Sequence, residues 1–292
     1  MGVLMHLVLM RRVVVVMRPV LARMGMGVRF PAAVVFVQVL MLVNVLVLAA
    51  CRAAAYVLPS GMPGPRPPET VSDGVYLVGS SDLTDGRDCS AYLIDAGELV
   101  LIDSGAGAST GQIIRNIELL GLDPARLSTL ILTHCHIDHV GGAAYLKERF
   151  GVRIIMHDLD AGAVEHGDQV RTGASWYGLP LAPLPVDVKL SGAEERLSFR
   201  DGTTLACLHT PGHTPGSISV WRDRDGERVL FGQDIHGPFL PEFGADLNAW
   251  RRSMKALLKL EADVLCEGHF GVYRTKARVR EYIEGYLDQY GW

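Results

Sequence analysis

The sequence predicts an α/β fold, because strand-like and helix-like stretches alternate along most of its 292 residues. Short apolar runs bounded by Gly and Asp indicate strands, and apolar residues at helical spacing indicate helices. One apolar run, residues 130–132, leads directly into a histidine-rich stretch, residues 134–139. Because α/β proteins carry ligand sites at the carboxyl ends of their strands, this stretch stands where such a site is expected.

Three strands and a helix are predicted before the histidine-rich stretch. Turns at Asp85-Gly86 and Ala96-Gly97 separate the strands, and Gly121 ends the helix. The predicted strands are residues 75–78, 91–94 and 99–103, and the predicted helix is residues 112–120.

The alternation continues after the histidine-rich stretch. The predicted strands are residues 152–156, 197–199, 203–208, 218–221 and 229–231, and the predicted helices are residues 143–150, 159–165, 247–260 and 276–290. Between the two halves, residues 166–187 show no regular period. Trp176 and Tyr177 lie in this segment beside Gly and Pro, and we expect them to form a wall of the substrate pocket.

The amino-terminal residues 1–51 differ from the rest in composition. They contain five arginines and no acid, and residues 31–50 are apolar except for Gln38 and Asn44. A helix of that length spans about 30 Å, the thickness of a bilayer's hydrocarbon core. The segment is therefore predicted to be a signal peptide or a membrane anchor, which would make the protein exported or membrane-associated.

The apolar run ends in Leu48-Ala49-Ala50-Cys51, which resembles the lipobox of bacterial lipoproteins. Cys51 is accordingly a candidate site of lipidation. The alternative is a start codon assigned too far upstream, in which case the protein is cytoplasmic. A Pro/Gly-rich linker, residues 52–69, is predicted to follow, and residues 70–292 are predicted to form the globular domain.

The charge of the remaining chain argues against a nucleic-acid partner. Without the five arginines of residues 1–51, the chain has 23 of its 28 basic residues and all 32 acidic residues, which gives a net charge near −9. An acidic surface repels phosphate backbones, so no nucleic-acid partner is expected. The five cysteines include no C-x-x-C pair and indicate no disulfide framework, and Cys135 is expected to be structural.

The histidine-rich stretch, Thr133-His134-Cys135-His136-Ile137-Asp138-His139, is typical of a metal site. Imidazole and carboxylate are the ligands that zinc and neighbouring divalent ions prefer. His134 and His136 alternate and point to one side of an extended loop, whereas Asp138 and His139 fall on the next turn. This spacing predicts two adjacent metal ions.

The motif resembles that of the metallo-β-lactamase-fold hydrolase superfamily, and in particular its glyoxalase II-like branch. Further stretches match the family's signatures in the same order over about residues 70–290. These are Leu99-Val100-Leu101-Ile102-Asp103, His209-Thr210-Pro211-Gly212-His213, Leu230-Phe231-Gly232-Gln233-Asp234 and Glu267-Gly268-His269.

The resemblance implies a four-layer αββα sandwich and a ligand for each metal at defined positions. It implies that His134, His136 and His213 bind one ion. It implies that Asp138, His139 and His269 bind the second and that Asp234 bridges the two. Asp103, and with it Thr133, is expected to orient a ligand histidine.

The chemistry implied is that of a dinuclear metal-dependent hydrolase, in which a metal-bridging hydroxide attacks the carbonyl of a thioester or ester. Two divalent ions are expected, most favourably Zn²⁺, with Fe or Mn open. Asp138 is a candidate catalytic residue as well as a ligand. His236 is a second candidate, as a donor to the developing oxyanion or the leaving group.

Three alternatives stay open at this stage. A lactonase would use the same ligands, although the residue three places after Asp234 is Gly237 where such enzymes tend to carry Tyr. A mononuclear iron persulfide dioxygenase would keep the same histidines. From a different class, the chain would be a non-catalytic, metal-stabilised binding domain tethered to a membrane.

Overall fold

The computed structural model describes residues 66–291. The predicted leader with Cys51, and the predicted linker as far as residue 65, lie outside these residues, so both boundaries stay predictions. Within residues 66–291, no helix is long and apolar enough to cross a lipid bilayer.

Two β-sheets occupy the middle of the described domain. The first has seven strands arranged in chain order: β1 (Glu69–Ser72), β2 (Val75–Gly79), β3 (Ala91–Asp95), β4 (Leu99–Ile102), β5 (Leu127–Ile131), β6 (Arg153–His157) and β7 (Val188–Leu190). Strands β1 to β4 are antiparallel to their neighbours, and β4 to β7 run parallel.

The second sheet has six strands in the order β13-β12-β11-β10-β9-β8. Only the β11–β12 pair is parallel among these described strands. The strands are β8 (Glu194–Ser198), β9 (Thr204–His209), β10 (Ile218–Arg224), β11 (Glu227–Gln233), β12 (Val264–Glu267) and β13 (Val272–Arg274).

Seven α-helices accompany the sheets in the part of the chain that the structure describes. They are α1 (Thr110–Leu119), α2 (Ile137–Val140), α3 (Ala143–Phe150), α4 (Asp158–Glu165), α5 (Ala174–Tyr177), α6 (Leu247–Lys259) and α7 (Lys276–Gln289). Short 3-10 turns cover Pro124–Arg126 and Pro241–Phe243.

Strand β4 shows why two of the layers are sheets packed face to face. All four of its side chains are buried, and they alternate between two apolar clusters. Leu99 and Leu101 pack with the helices outside the first sheet, whereas Val100 and Ile102 pack between the sheets with residues such as Phe231. A strand that is covered on both faces reads as a continuous apolar run, as this one does.

The outer layers are amphipathic helices. On α1, Ile113 and Ile117 face the first sheet. On α6, Trp250, Met254 and Leu257 follow helical spacing and face the second sheet, where they join a third apolar cluster. The architecture is thus helix, sheet, sheet, helix, and the predicted α/β class and αββα sandwich are confirmed.

Candidate metal centre

The seven predicted ligands all follow the carboxyl end of a strand. Strand β5 leads into the loop of His134 and His136 and then into α2, while the loops after β9, β11 and β12 supply the others. Chain topology therefore delivers side chains from both sheets to one edge of the sandwich, where α/β proteins place their sites. The seven side chains are His134, His136, Asp138, His139, His213, Asp234 and His269.

Three imidazoles and one carboxylate form the first group. Nδ1 of His136 lies 3.0 Å from Nε2 of His134 and 2.9 Å from Nε2 of His213. Oδ2 of Asp234 is 3.5 Å from Nε2 of His213 and 4.0 Å from Nε2 of His134. Ligand atoms about 2.0–2.1 Å from a tetrahedral zinc ion lie about 3.4 Å apart, so this spacing suits a single small cation.

A second group lies on the other side of Asp234. Nε2 of His269 is 3.3 Å from Oδ2 of Asp138 and 3.3 Å from Oδ2 of Asp234. Nε2 of His139 is 3.2 Å from Oδ1 of Asp234 and 3.8 Å from Oδ2 of Asp138. Both Nε2 of His139 and Oδ1 of Asp234 are buried without a hydrogen-bond partner, as expected of atoms that face a metal ion.

Burial keeps the histidines of the first group neutral. It lowers the pKa of His134 well below the usual value, the pKa of His136 to about 4 and the pKa of His213 to about 3. Since a metal binds the neutral imidazole, these three side chains are ready to bind without releasing a proton.

Charge, rather than burial, decides the protonation of the second group. Burial alone would lower the pKa of His139, but the carboxylates around it, Asp234 first among them, raise it well above the usual value. Burial is likewise outweighed at His269, where Asp234 and Asp138 raise the pKa to about 10. A metal ion at this position would therefore displace protons as it binds.

Asp103 holds the ring of His139. Nδ1 of His139 donates to Oδ2 of Asp103 over 2.8 Å, which directs Nε2 towards Asp234. The same carboxylate accepts hydrogen bonds from the backbone N–H of Thr133 (2.8 Å) and from its hydroxyl (2.7 Å). The structure thus places the two predicted orienting residues, Asp103 and Thr133, beside a predicted ligand.

Gly141 and Gly142 explain the end of the histidine motif. A Cβ on Gly141 would lie 2.4 Å from the carbonyl oxygen of Ala106, and one on Gly142 would lie 2.4 Å from that of Ser104. The loop after β4 packs directly on the backbone that follows α2. Any larger residue would push α2, and with it Asp138 and His139, out of place.

A cavity of about 430 Å³ opens over the two groups. Trp176 and Tyr177, the predicted pocket residues, both line it. The hydroxyl of Tyr177 donates to Oδ2 of Asp138 over 3.1 Å, and the ring of Trp176 lies 5.1 Å from that of Phe243, between centroids. The otherwise irregular segment of residues 166–187 thus forms one wall of the site.

His236 also lines the cavity, outside both ligand groups. Its Nδ1 donates to Oε1 of Glu267 over 2.7 Å. Glu267 is fully buried, and its other oxygen accepts the backbone N–H groups of His269 (2.6 Å) and Phe270 (2.8 Å). One carboxylate therefore fixes His236 and the loop of the ligand His269 together.

The family is decided by a match to the family model described as the metallo-beta-lactamase superfamily, which covers residues 84–269. The chain belongs to the metallo-beta-lactamase superfamily. The match begins before Asp103 and ends at His269, so it includes every predicted ligand.

Individual relatives resemble parts of the chain. A probable metallo-hydrolase of Methanocaldococcus jannaschii is 33% identical over 135 residues, which are 46% of this chain and 63% of that protein. Hydroxyacylglutathione hydrolase GloC of Haemophilus influenzae is 35% identical over 150 residues, 51% of this chain and 66% of that protein. The chain therefore spans less than two thirds of the length of either relative.

Solved structures of the superfamily share the fold. A motif mutant of the metallo-beta-lactamase from Cronobacter sakazakii superposes with a TM-score of 0.65 at 26% identity, covering 77% of this chain and 96% of that one. The subclass B3 metallo-beta-lactamase BJP-1 of Bradyrhizobium japonicum gives the same TM-score at 24% identity over 77% of this chain and 92% of that one.

Three further histidines, and Cys135, which was expected to be structural, lie outside the ligand groups. His157 and His209 stack on each other with centroids 3.9 Å apart, and His166 is exposed. Cys135 is buried between two ligands, with Sγ against the carbonyl of Arg171. The four cysteines within residues 66–291 are free thiols.

Asp160 is a residue of the site that the sequence did not single out. It is fully buried and accepts hydrogen bonds from the backbone N–H of Cys135 (3.1 Å), the backbone N–H of Gly216 (2.8 Å) and the hydroxyl of Thr214 (2.6 Å). It thus ties the histidine-rich loop to the loop of His213. Glu267 and Phe243 were missed as well, although Glu267 stands in the quoted Glu-Gly-His motif.

Proposed function

We propose that the chain is a dinuclear metal-dependent hydrolase of thioesters or esters. The observation that carries this proposal is the position of Asp234, whose two carboxylate oxygens reach both ligand groups. Oδ1 lies 3.2 Å from His139, and Oδ2 lies within 3.5 Å of both His213 and His269. A carboxylate so placed suits the bridge between two cations.

The donor atoms fit the proposed metals. Five imidazoles and two carboxylates are the nitrogen and oxygen ligands that zinc binds, and iron or manganese also accept them. When bound, two such ions supply an activated water nucleophile near neutral pH and polarise the substrate carbonyl. In hydrolysis the water oxygen bonds to the acyl carbon, the C–S or C–O bond breaks, and the thiol or alcohol leaves with a proton.

The chain's own groups would position the substrate and move protons. The buried ligands are held by Asp103 and Glu267, so little reorganisation accompanies the reaction. The ring of His236 lines the cavity without belonging to a ligand group, and it is the group placed to donate to an oxyanion or a leaving group, whereas the hydroxyl of Tyr177 donates to Asp138. The similarity to a hydroxyacylglutathione hydrolase supports thioester chemistry.

Partner and location follow from the sequence and are proposed with it. The substrate is a small acyl compound, since a cavity of about 430 Å³ lies within the range of small-molecule pockets. The net charge outside the leader makes nucleic acid an unsuitable partner. Residues 1–51 would export the protein or tether it to a membrane.

The test is metal content and hydrolysis measured on the same full-length protein. We expect two zinc ions per chain, hydrolysis of a thioester and loss of both after dialysis against a chelator. Asp234→Asn should lower zinc content and remove activity, since an amide bridges cations poorly. Asp225→Asn, in an exposed turn, is the matched control.

Two outcomes would contradict the proposal. One is a wild-type protein that binds a single metal at saturation and oxidises persulfides when loaded with iron. The other is unchanged thioester turnover in metal-depleted Asp234→Asn protein. Reloading the chelated wild type with zinc should restore turnover, which separates metal loss from irreversible unfolding.

A further inference from the structure

The cavity wall outside the ligand groups carries little charge. Apart from ligands, its lining within residues 66–291 consists of hydroxyl, aromatic, Gly and Pro residues together with His236. Lysine and arginine are absent from this lining. A pocket that binds a carboxylate away from a metal usually supplies an arginine or lysine, so the part of this wall beyond the proposed metal ions lacks a side chain that would recognise an anionic group.

The cationic groups near the cavity are already engaged. Nδ1 of His236 is bonded to the buried carboxylate of Glu267, so any positive charge on the ring is balanced at 2.7 Å. Arg66, beside a neighbouring cavity, pairs with Asp82 and Glu69 at 2.9 and 2.7 Å. None of these groups offers an unpaired cation to a substrate.

Arg171 is directed elsewhere too. It directly precedes the lining residue Thr172 in the sequence, but its guanidinium donates to the carbonyl of Leu159 over 3.1 Å. It also lies 3.9 Å from the buried carboxylate of Asp160. The arginine adjacent to the cavity in sequence therefore stabilises the loop rather than the pocket.

Large aromatic side chains stand exposed at the cavity mouth. Trp176 is 59% exposed and Phe270 is 56% exposed, and each lines the cavity. Trp176 packs against Phe243, and the ring centroid of Phe243 lies 4.3 Å from that of His136. A continuous apolar surface thus runs from the first ligand group to solvent, and exposed aromatic surface of this kind marks a binding site.

We propose that this site selects uncharged thioesters and esters whose apolar acyl group lies against Trp176 and Phe243, and that it rejects acyl groups ending in a carboxylate. This inference rests on the proposed hydrolase function and names its substrate class. Trp176 is the specificity-determining residue, because it supplies exposed apolar surface and touches no ligand.

The test compares two acyl groups of equal length on the uncharged thiol N-acetylcysteamine. Hexanoyl and adipoyl thioesters differ only in a terminal methyl or carboxylate, and acetyl serves as the short reference. For the zinc-loaded full chain we expect kcat/KM for the hexanoyl thioester to exceed that for the adipoyl thioester by more than about tenfold. Transfer of the terminal methyl to an apolar wall is favourable, whereas desolvation of the terminal carboxylate is costly.

Trp176→Ala should lower kcat/KM for the hexanoyl thioester about tenfold, as expected for loss of roughly 50 Å² of apolar contact. The acetyl thioester should lose less, because a two-carbon acyl group has less apolar surface to place against Trp176, so the ratio of the hexanoyl to the acetyl kcat/KM should fall. Leu119→Ala, which removes an exposed apolar side chain on α1, is the control and should change neither.

Binding without turnover separates this inference from the hydrolase proposal. Calorimetry of the zinc-loaded protein with hexanamide and acetamide should show tighter binding of hexanamide, weakened about tenfold in Trp176→Ala. If both amides bind equally, or if acetamide binds more tightly, the substrate class is wrong. If hexanamide is preferred but none of the thioesters is hydrolysed, the hydrolase proposal fails and the ligand class stands.

Discussion

Oδ2 of Asp103 accepts a hydrogen bond from Nδ1 of His139 over 2.8 Å, at a residue whose own backbone is left-handed (φ 59°). Asparagine tolerates this backbone conformation, so Asp103→Asn removes the charge without straining the loop. In this variant no carboxylate fixes the ring of His139. We expect affinity for the second zinc ion to fall about 10–100-fold, as for other groups that orient metal ligands.

The measurement is a zinc titration against a competing chelator, which resolves the two binding steps. Affinity for the first ion should stay within a factor of about three, because Asp103 contacts none of its ligands directly. Equal loss at both steps would mean that Asp103 maintains the whole loop rather than His139.

Tyr177→Phe tests the hydroxyl that reaches Asp138. Burial raises the pKa of Tyr177 above its usual value, so the hydroxyl stays protonated and acts as a donor. Without it we expect kcat/KM to fall about tenfold, the effect of one hydrogen bond to a charged group. Zinc content and melting temperature should be unchanged. Tyr145→Phe, on the exposed face of α3, provides the matched control.

His236→Gln tests a group that lines the cavity without joining either ligand group. Loss of a proton donor typically lowers a rate by about 100-fold or more, so kcat should fall by that order while two zinc ions still bind. His166→Gln, at an exposed helix end, should behave like the wild type. A variant that loses zinc in parallel with activity would make His236 a structural support of His269 instead.

Asp160→Asn tests the residue that joins two ligand loops. The amide oxygen cannot accept all three hydrogen bonds that the carboxylate accepts. The amide N–H₂ group would therefore face one of the buried donors that now bond Asp160. We expect a loss of about 3 kcal/mol in free energy of unfolding. For a domain of this size the melting temperature should fall by roughly 6–12 °C.

The neighbouring Asp158→Asn is the control for Asp160→Asn, because the Asp158 side chain is 45% exposed and should matter little. Thermal unfolding is followed by circular dichroism on zinc-loaded protein. If both variants have the melting temperature of the wild type, the hydrogen bonds of Asp160 do not hold the loops together.

The ligand residues could be predicted because their signals are local. Four of the seven lie within six residues, and the apolar run before them, residues 130–132, is buried as its sequence predicts. His213, Asp234 and His269 were predicted from the resemblance of their short motifs to those of the family, and each motif follows a strand. Their approach to one another then follows from two sheets that end at a common edge.

Asp160 and Phe243 could not be predicted, because nothing near them in sequence distinguishes them. Asp160 lies in the first turn of an ordinary helix, and its partners Thr214 and Gly216 are more than fifty residues away. Phe243 meets His136 only after both sheets have packed. Long-range contacts of this kind leave no periodic pattern to read.

Short elements escaped prediction for a related reason. Helix α5 has four residues between Gly173 and Gly178, both with positive φ, and one turn is too short to show helical spacing. Strands β7 and β13 have three residues each. Their formation depends on the strand beside them more than on their own sequence.

Trp176 and Phe243, the two residues proposed to meet the acyl group, belong to segments of the chain that contain no predicted ligand. Trp176 lies on a single helical turn between two glycines, and Phe243 lies in a 3-10 turn that Gly244 ends. During evolution these two short pieces could be exchanged or lengthened while the ligand set is inherited unchanged, so that descendants of one ancestor diverge in what they cleave before they diverge in how they cleave it.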